Sequence, residues 1–195
     1  MQRKTDRVPG ETIQEIDILN WLYNTLGCSA MDCVSLVFEY VFKYDILWIV
    51  IGLIMIYTRK YRMFGLVLIA AIILEFCMVA SLKLIVERPR PFEEYAVNAL
   101  VTSFSSYSFP SGHTASLFCA ATVVSVFRRS VAPSMFALAF IVGLTRMYMY
   151  AHYPTDVLAG AVVGVLCALF AIFVLLRMEP RTVFVENRLQ TETED

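Results

Sequence analysis

Charge and histidine are scarce in this sequence. Of its 195 residues only 17% are Asp, Glu, Lys or Arg, two are histidine, and 58% are hydrophobic. Soluble domains sit near ~45–50% apolar and ~25% charged. That shortage, with a mean hydropathy of +0.65, excludes an ordinary soluble domain and points to a chain solvated by lipid. The net charge of -1 gives no electrostatic basis for a nucleic-acid partner. Cysteine is sparse too. Cys77, Cys119 and Cys167 sit in apolar runs as small hydrophobes, while Cys28 and Cys33 are expected as packed thiols rather than a pair. No Cys/His spacing resembles a zinc site, so no metal and no cofactor is expected. The first ten residues are polar and no uninterrupted apolar core follows, so no cleavable signal peptide is expected. No internal repeat is visible.

What is present is a series of long apolar runs. A spanning helix needs about 20 mostly apolar residues. Residues 157–176 and 131–150 satisfy this best, the latter interrupted only by Arg146 near its end. Residues 63–86 are long enough but carry Glu75 and Lys83, and 114–127 and 45–58 are shorter. The expected fold is all-α, a polytopic membrane helical bundle of five transmembrane helices, or six if residues 13–42 also span. Against a sixth span stand Asn20, Asn24, Gly27, Ser29 and Asp32. Ile13, Ile16, Leu19 and Leu22 recur at helical spacing and predict an amphipathic N-terminal helix, with a second over 31–42. The expected division is 1–44 interfacial, 45–178 membrane domain and 179–195 mobile cytoplasmic tail. Arg59, Lys60 and Arg62, then Arg128 and Arg129, then Arg177 and Arg181 fall on one side of five spans, which the positive-inside rule makes cytoplasmic. The 87–107 connection and the one around His152 then share the external face of the cell (plasma) membrane.

The unusual polar residues collect at those external ends. Each has a bland reading: Lys83 and Arg90 as snorkelling anchors, Ser111 as a helix cap, His152 and Asp156 as a structural hydrogen bond. Arg146 lies within a span, where a charge costs at least ~2.5–3.5 kcal/mol and marks a polar cavity or partner. A functional reading uses every piece. Lys83, Arg90 and Arg146 match a phosphoryl group carrying about two negative charges. Ser111 opens a helix whose free N–H groups favour an anion, and Gly112 lets that anion approach the backbone. His152 precedes Asp156 by four residues, so that the carboxylate can orient one ring nitrogen and free the other to attack phosphorus. His113 can protonate the leaving oxygen and later take a proton from water.

Lys83 with Arg90-Pro91, then Pro110-Ser111-Gly112-His113, then Arg146, His152 and Asp156 resemble the three signatures of the type-2 phosphatidic acid phosphatase superfamily, membrane branch, in order and spacing over roughly residues 63–176. Thr145 stands where serine usually opens the third signature. The resemblance implies a metal-independent hydrolase with a phosphohistidine intermediate: His152 as nucleophile, Asp156 as its orienting partner, His113 as general acid/base, and Lys83, Arg90, Ser111, Gly112 and Arg146 around the phosphate. The compact chain and Arg88-Pro89-Arg90-Pro91-Phe92 are similar to small bacterial undecaprenyl pyrophosphate phosphatases. The implied partners are the bilayer and a lipid phosphate, with undecaprenyl diphosphate first and phosphatidate or phosphatidylglycerophosphate as alternatives. A non-catalytic headgroup-binding protein would not need both histidines. Glu75 is left outside the site, Glu93 and Glu94 are expected to face water, and Phe92, Tyr95, Phe104, Tyr107 and Phe109 are expected as interfacial anchors.

Overall fold

A computed structural model of the chain describes residues 14–42, 45–58, 60–102 and 106–178. They form helices and connections, with no strand among the described residues: α1 (Glu15–Leu26), α2 (Ser29–Val41), α3 (Ile46–Tyr57), α4 (Arg62–Val86), the short α5 (Pro91–Glu94), α6 (Gly112–Phe127), α7 (Ala132–Tyr148) and α8 (Pro154–Met178). Every apolar run expected to span is helical, but their lengths differ. The 25-residue α4 and α8 are each roughly 37 Å long at 1.5 Å per residue, more than the ~30 Å hydrocarbon core. By length and composition these two regions can cross a membrane, and α2 with α3, bent by 54°, count as a third if taken as one span. Helices α6 and α7 are apolar but have 16 and 17 residues. Pro110-Ser111 starts the first late and Arg128 stops it early.

The bundle is centred on α4, α6 and α8, with α3 against α4 and α7 against α6. Val67, Leu68, Ala71 and Ile72 of α4 meet Leu117, Ala120 and Val123 of α6, Val142 of α7, and Ala168 and Ala171 of α8. Many of these residues are small, as expected where helices associate by close packing rather than by escape from water. Gly160 and Gly164 take this furthest: a β-carbon on either would lie 2.5 Å from the Ser111 carbonyl oxygen or 2.1 Å from that of Ala115. Those two glycines seat α8 on the first turns of α6. That contact sets the spacing between His113 on one helix and Asp156 on the other.

The predicted amphipathic helix is α1. Ile16, Leu19 and Leu22 are buried, and they pack on Tyr148, Met149 and Tyr150 at the end of α7. Its apolar face is therefore turned onto the protein. Cys28 and Cys33 are free, as expected, but exposed rather than packed, because they bracket the open start of α2. Ile13, Arg59, Phe104, Arg181 and the expected tail lie outside the described residues.

Candidate active site

The C-terminal ends of α4 and α7 and the N-terminal ends of α6 and α8 gather the candidate residues. Helix α4 stops at Glu87, whose left-handed backbone (φ 49°) turns the chain back over the bundle. Lys83, in the last turn, donates to the Tyr107 carbonyl at 2.5 Å and lies 3.4 Å from Ser106 Oγ. Pro91 opens α5, and Glu93 accepts the Arg90 N–H at 2.8 Å. This fixes Arg90, which is buried and donates to the carbonyls of Ser106 and Ala151, both at 2.9 Å. Its Nη1 also stands 3.3 Å from His152 Nε2. Glu93 and Glu94 are exposed as expected yet bonded, Glu94 to the Tyr153 hydroxyl.

His152 sits in a tight turn between α7 and α8. Tyr150 takes a left-handed backbone (φ 55°), and the Ala151 and His152 N–H groups return to the Arg146 carbonyl at 3.1 and 3.3 Å. Such a conformation costs a non-glycine residue roughly 1–2 kcal/mol. The burial of Ile16 and Leu19 against Tyr150 holds it in place. His152 Nδ1 is 2.8 Å from the Ser108 carbonyl. A carbonyl only accepts, so Nδ1 carries the proton and Nε2 keeps its lone pair. Burial pushes the imidazole well below its ordinary value, with Arg90 and Lys83 adding to the effect and Asp156 opposing it. The ring is held neutral.

Asp156 was expected to accept directly from this ring. Instead its Oδ2 is 3.8 Å from Nδ1, because His152 precedes α8 and the i,i+4 geometry of a continuous helix does not apply. The carboxylate folds back on its own helix start, accepting the Tyr153 N–H at 2.8 Å, the Ser108 hydroxyl at 2.5 Å and Arg88 Nη1 at 2.7 Å. Ser108 therefore joins the two: its hydroxyl grips Asp156 and its carbonyl grips His152.

Around the opening of α6, the Ser111 N–H donates to the Asp156 carbonyl at 3.0 Å, and its hydroxyl pairs with that of Thr114 at 3.0 Å. A β-carbon at Gly112 would meet only Val79, at 3.8 Å, so packing does not require glycine there. Arg146 is fully buried in the last turn of α7. It donates through Nη1 to Glu39 Oε2 and through Nη2 to the Ser35 carbonyl at 3.1 Å, while Nε has no hydrogen-bond partner among the described residues. His113 Nε2 is 3.4 Å from the Glu39 carbonyl oxygen and 3.8 Å from its carboxylate. Thr145 turns its hydroxyl back to the Val142 carbonyl at 2.7 Å and receives Arg146 Nη2 at 3.3 Å. The structure thus joins Arg90 to His152 and Ser111 to Asp156 by direct contacts, Lys83 to Arg90 through Ser106 and Tyr107, His152 to Asp156 through Ser108, and His113 to Arg146 through Glu39.

Three participants escaped the sequence reading: Ser108, Arg88 and Glu39. Ser108 precedes Phe109-Pro110-Ser111 and looks like loop filler. Arg88 lies over the Tyr153 ring at 3.8 Å and bonds Glu15 of α1 as well as Asp156. Glu39 carried a usable signal, since it is a lone carboxylate in the apolar string Phe38-Glu39-Tyr40-Val41-Phe42. Glu75, by contrast, is buried in α4 with Oε2 unpartnered among the described residues, and no contact joins it to this group.

An apolar helical bundle that gathers a neutral imidazole, a fixed carboxylate and several cations at one end has the chemistry to hold an anion and move protons around it. Residues 64–179 match the PAP2 superfamily, and the chain belongs to it. Among similar proteins, the Bacitracin transport permease protein BcrC of Bacillus licheniformis is 37% identical over 93 residues, covering 48% of this chain and 44% of that one. The Undecaprenyl-diphosphatase BcrC of Bacillus subtilis (strain 168) is 29% identical over 111 residues, 56% of this chain and 55% of that one. This chain therefore spans about half the length of the curated relatives it matches. The crystal structure of Aquifex aeolicus LpxE superposes with a TM-score of 0.69 at 30% identity, over 85% of this chain and 99% of that one.

Proposed function

We propose that the protein is a membrane lipid phosphatase that works through a phosphohistidine, with undecaprenyl diphosphate as its first substrate. The observation that carries this reading is the His152 tautomer: Nδ1–H is committed to the Ser108 carbonyl at 2.8 Å, leaving an Nε2 lone pair in a ring that burial keeps neutral. Nε2 attacks phosphorus, an N–P bond forms, and the bond from phosphorus to the leaving oxygen breaks. His113 gives that oxygen a proton. Water then attacks phosphorus and loses a proton to His113, the N–P bond breaks, and inorganic phosphate departs. Lys83, Arg90 and Arg146, with the α6 N-terminus at Ser111 and Gly112, carry the charge that develops on the phosphoryl oxygens.

The substrate assignment is supported by the relative named as an undecaprenyl-diphosphatase and by an all-helical bundle with spans long enough to sit in the bilayer beside a polyprenyl chain. In this reading five helices cross the cell membrane, and the basic clusters support a site on the external face. Hydrolysis of undecaprenyl diphosphate, phosphatidate and phosphatidylglycerophosphate in matched micelles tests it. The first should be cleaved fastest; a faster phosphatidate rate would reassign the substrate, and no cleavage of any would end the reading. A single cysteine at Asn98 in an otherwise cysteine-free variant should react with an impermeant thiol reagent on intact cells, and labelling only after lysis would invert the orientation.

A further inference from the structure

Glu39 is a buried carboxylate, 5% exposed, placed between two residues that the mechanism needs for substrate. Its Oε2 bonds Arg146 Nη1 and stands 3.8 Å from His113 Nε2. Helix α2 adds the Ser35 carbonyl to Arg146 Nη2 at 3.1 Å. In the proposed reaction Arg146 contacts a non-bridging phosphoryl oxygen and His113 the leaving oxygen. An anionic oxygen bonded to one of these groups and 3.8 Å from the other therefore stands where substrate oxygens would come.

We propose that Glu39 is a specificity-determining residue, the resident anion that Arg146 holds until the terminal phosphate of a lipid displaces it. This rests on reading the pocket as a phosphate site. The selectivity follows from charge. A carboxylate carries one negative charge, and so does the phosphodiester of an ordinary membrane phospholipid. Exchanging one for the other at Arg146 gains nothing, and entry beside a retained Glu39 sets two like charges together in a buried place. A terminal phosphate carries about -1.5 to -2 with three strong acceptor oxygens. It can take Arg146 Nη1 from the carboxylate and also use the unpartnered Nε. An enzyme immersed in phosphodiester headgroups is thereby kept clear of them, while terminal phosphates enter.

The test uses the full chain in dodecyl maltoside micelles, with dodecyl phosphate as substrate and dioleoylphosphatidylglycerol as the phosphodiester. Glu39→Gln removes the charge and keeps the shape. Phosphatidylglycerol should then inhibit competitively at a surface concentration at least about 10-fold below that needed for the unaltered protein, in the usual range for coupled sites. Glu94→Gln, which removes an exposed carboxylate bonded to Tyr153, should shift inhibition less than about 2-fold, within ordinary rim-charge effects. Equal resistance of the Glu39→Gln and unaltered proteins, or equal sensitisation by Glu94→Gln, would overturn the role of Glu39 while leaving the phosphatase reading intact. Failure of the unaltered protein to cleave dodecyl phosphate would overturn both. A second measurement needs no substitution. Saturating orthovanadate should raise amide hydrogen exchange over residues 29–41, since α2 loses the Glu39 tie to Arg146 and keeps only the Ser35 carbonyl. Unchanged or slower exchange there contradicts the displacement.

Discussion

Replacing Ser108 by alanine removes one short bond in the site, the hydroxyl's other approaches, to the Ala151 carbonyl and to His152 Nδ1, being long at 3.5 Å. The Ser108 hydroxyl is fully buried and donates to Asp156 Oδ2 at 2.5 Å. The carbonyl that holds His152 Nδ1 belongs to the backbone and survives the change. A hydrogen bond to an ionised group contributes about 1.5–3 kcal/mol, which at 1.36 kcal/mol per decade is about 10- to 150-fold in rate. Tyr153 N–H and Arg88 still hold Asp156, so the loss should fall at the low end, about 10-fold in kcat, with KM nearly unchanged. The same change should be measured in an Asp156→Asn background, where the loss should stay below the ~10⁴-fold of a triad whose aspartate fixes the tautomer, since here the Ser108 carbonyl does so. Because Ser108 acts on the ring through the carboxylate, its removal there should cost less than about 2-fold further. Initial rates of phosphate release from dodecyl phosphate, with gel filtration to check folding, give both numbers. A Ser108→Ala protein at full rate, or an equal loss in both backgrounds, would contradict this positioning role.

Gly164→Ala should destabilise the protein by about 1–3 kcal/mol through overpacking, seen as a lower Tm in detergent, because its methyl would lie 2.1 Å from the Ala115 carbonyl oxygen. Gly112→Ala meets no such contact and should keep the Tm while lowering kcat/KM; an unchanged kcat/KM would remove Gly112 from the phosphate site. Glu15 ties α1 to the site through Arg88 and through the Thr155 N–H and hydroxyl at 3.0 and 2.6 Å. Burial alone would raise this carboxyl, but the Thr155 and Arg88 hydrogen bonds hold it below its ordinary value. Its tie is thus complete above the ordinary glutamate value of ~4.3 and is lost as pH falls through the lowered one. Hydrogen exchange of α1 should accelerate only in that acid range, and acceleration near neutral pH would refute the assignment. EDTA should leave phosphate release unchanged, since Lys83, Arg90 and Arg146 supply the positive charge; loss of turnover restored by a divalent cation would overturn the mechanism.

Apolar run length located α4 and α8 within a few residues, and the spacing of Ile16, Leu19 and Leu22 identified the buried face of α1. Polar residues stranded at helix ends pointed to His152, Asp156 and the three cations, because a charge has few inexpensive places in an apolar chain. Pairings across long stretches of sequence were hidden. Glu39 and Arg146 are separated by 107 positions, and periodicity reports which face of a helix is apolar, never which helix it meets. Gly164 read as one more small residue in an apolar run, and its meaning appears only with the Ala115 carbonyl beside it. The His152–Asp156 spacing misled in a particular way. It predicted a direct bond, whereas the turn at Tyr150 places the ring outside α8 and leaves Ser108 to bridge the gap. Ser108 itself has no signal in composition or charge, since its role depends on where its backbone carbonyl points.

Covalent phosphate on His152 is the most direct thing to look for. Rapid quenching into alkali during turnover of a ³²P-labelled lipid phosphate, followed by peptide mapping, should find acid-labile label on the His152 peptide and none in the His152→Ala protein. Full turnover with no labelled histidine, or label that persists in His152→Ala, would contradict it.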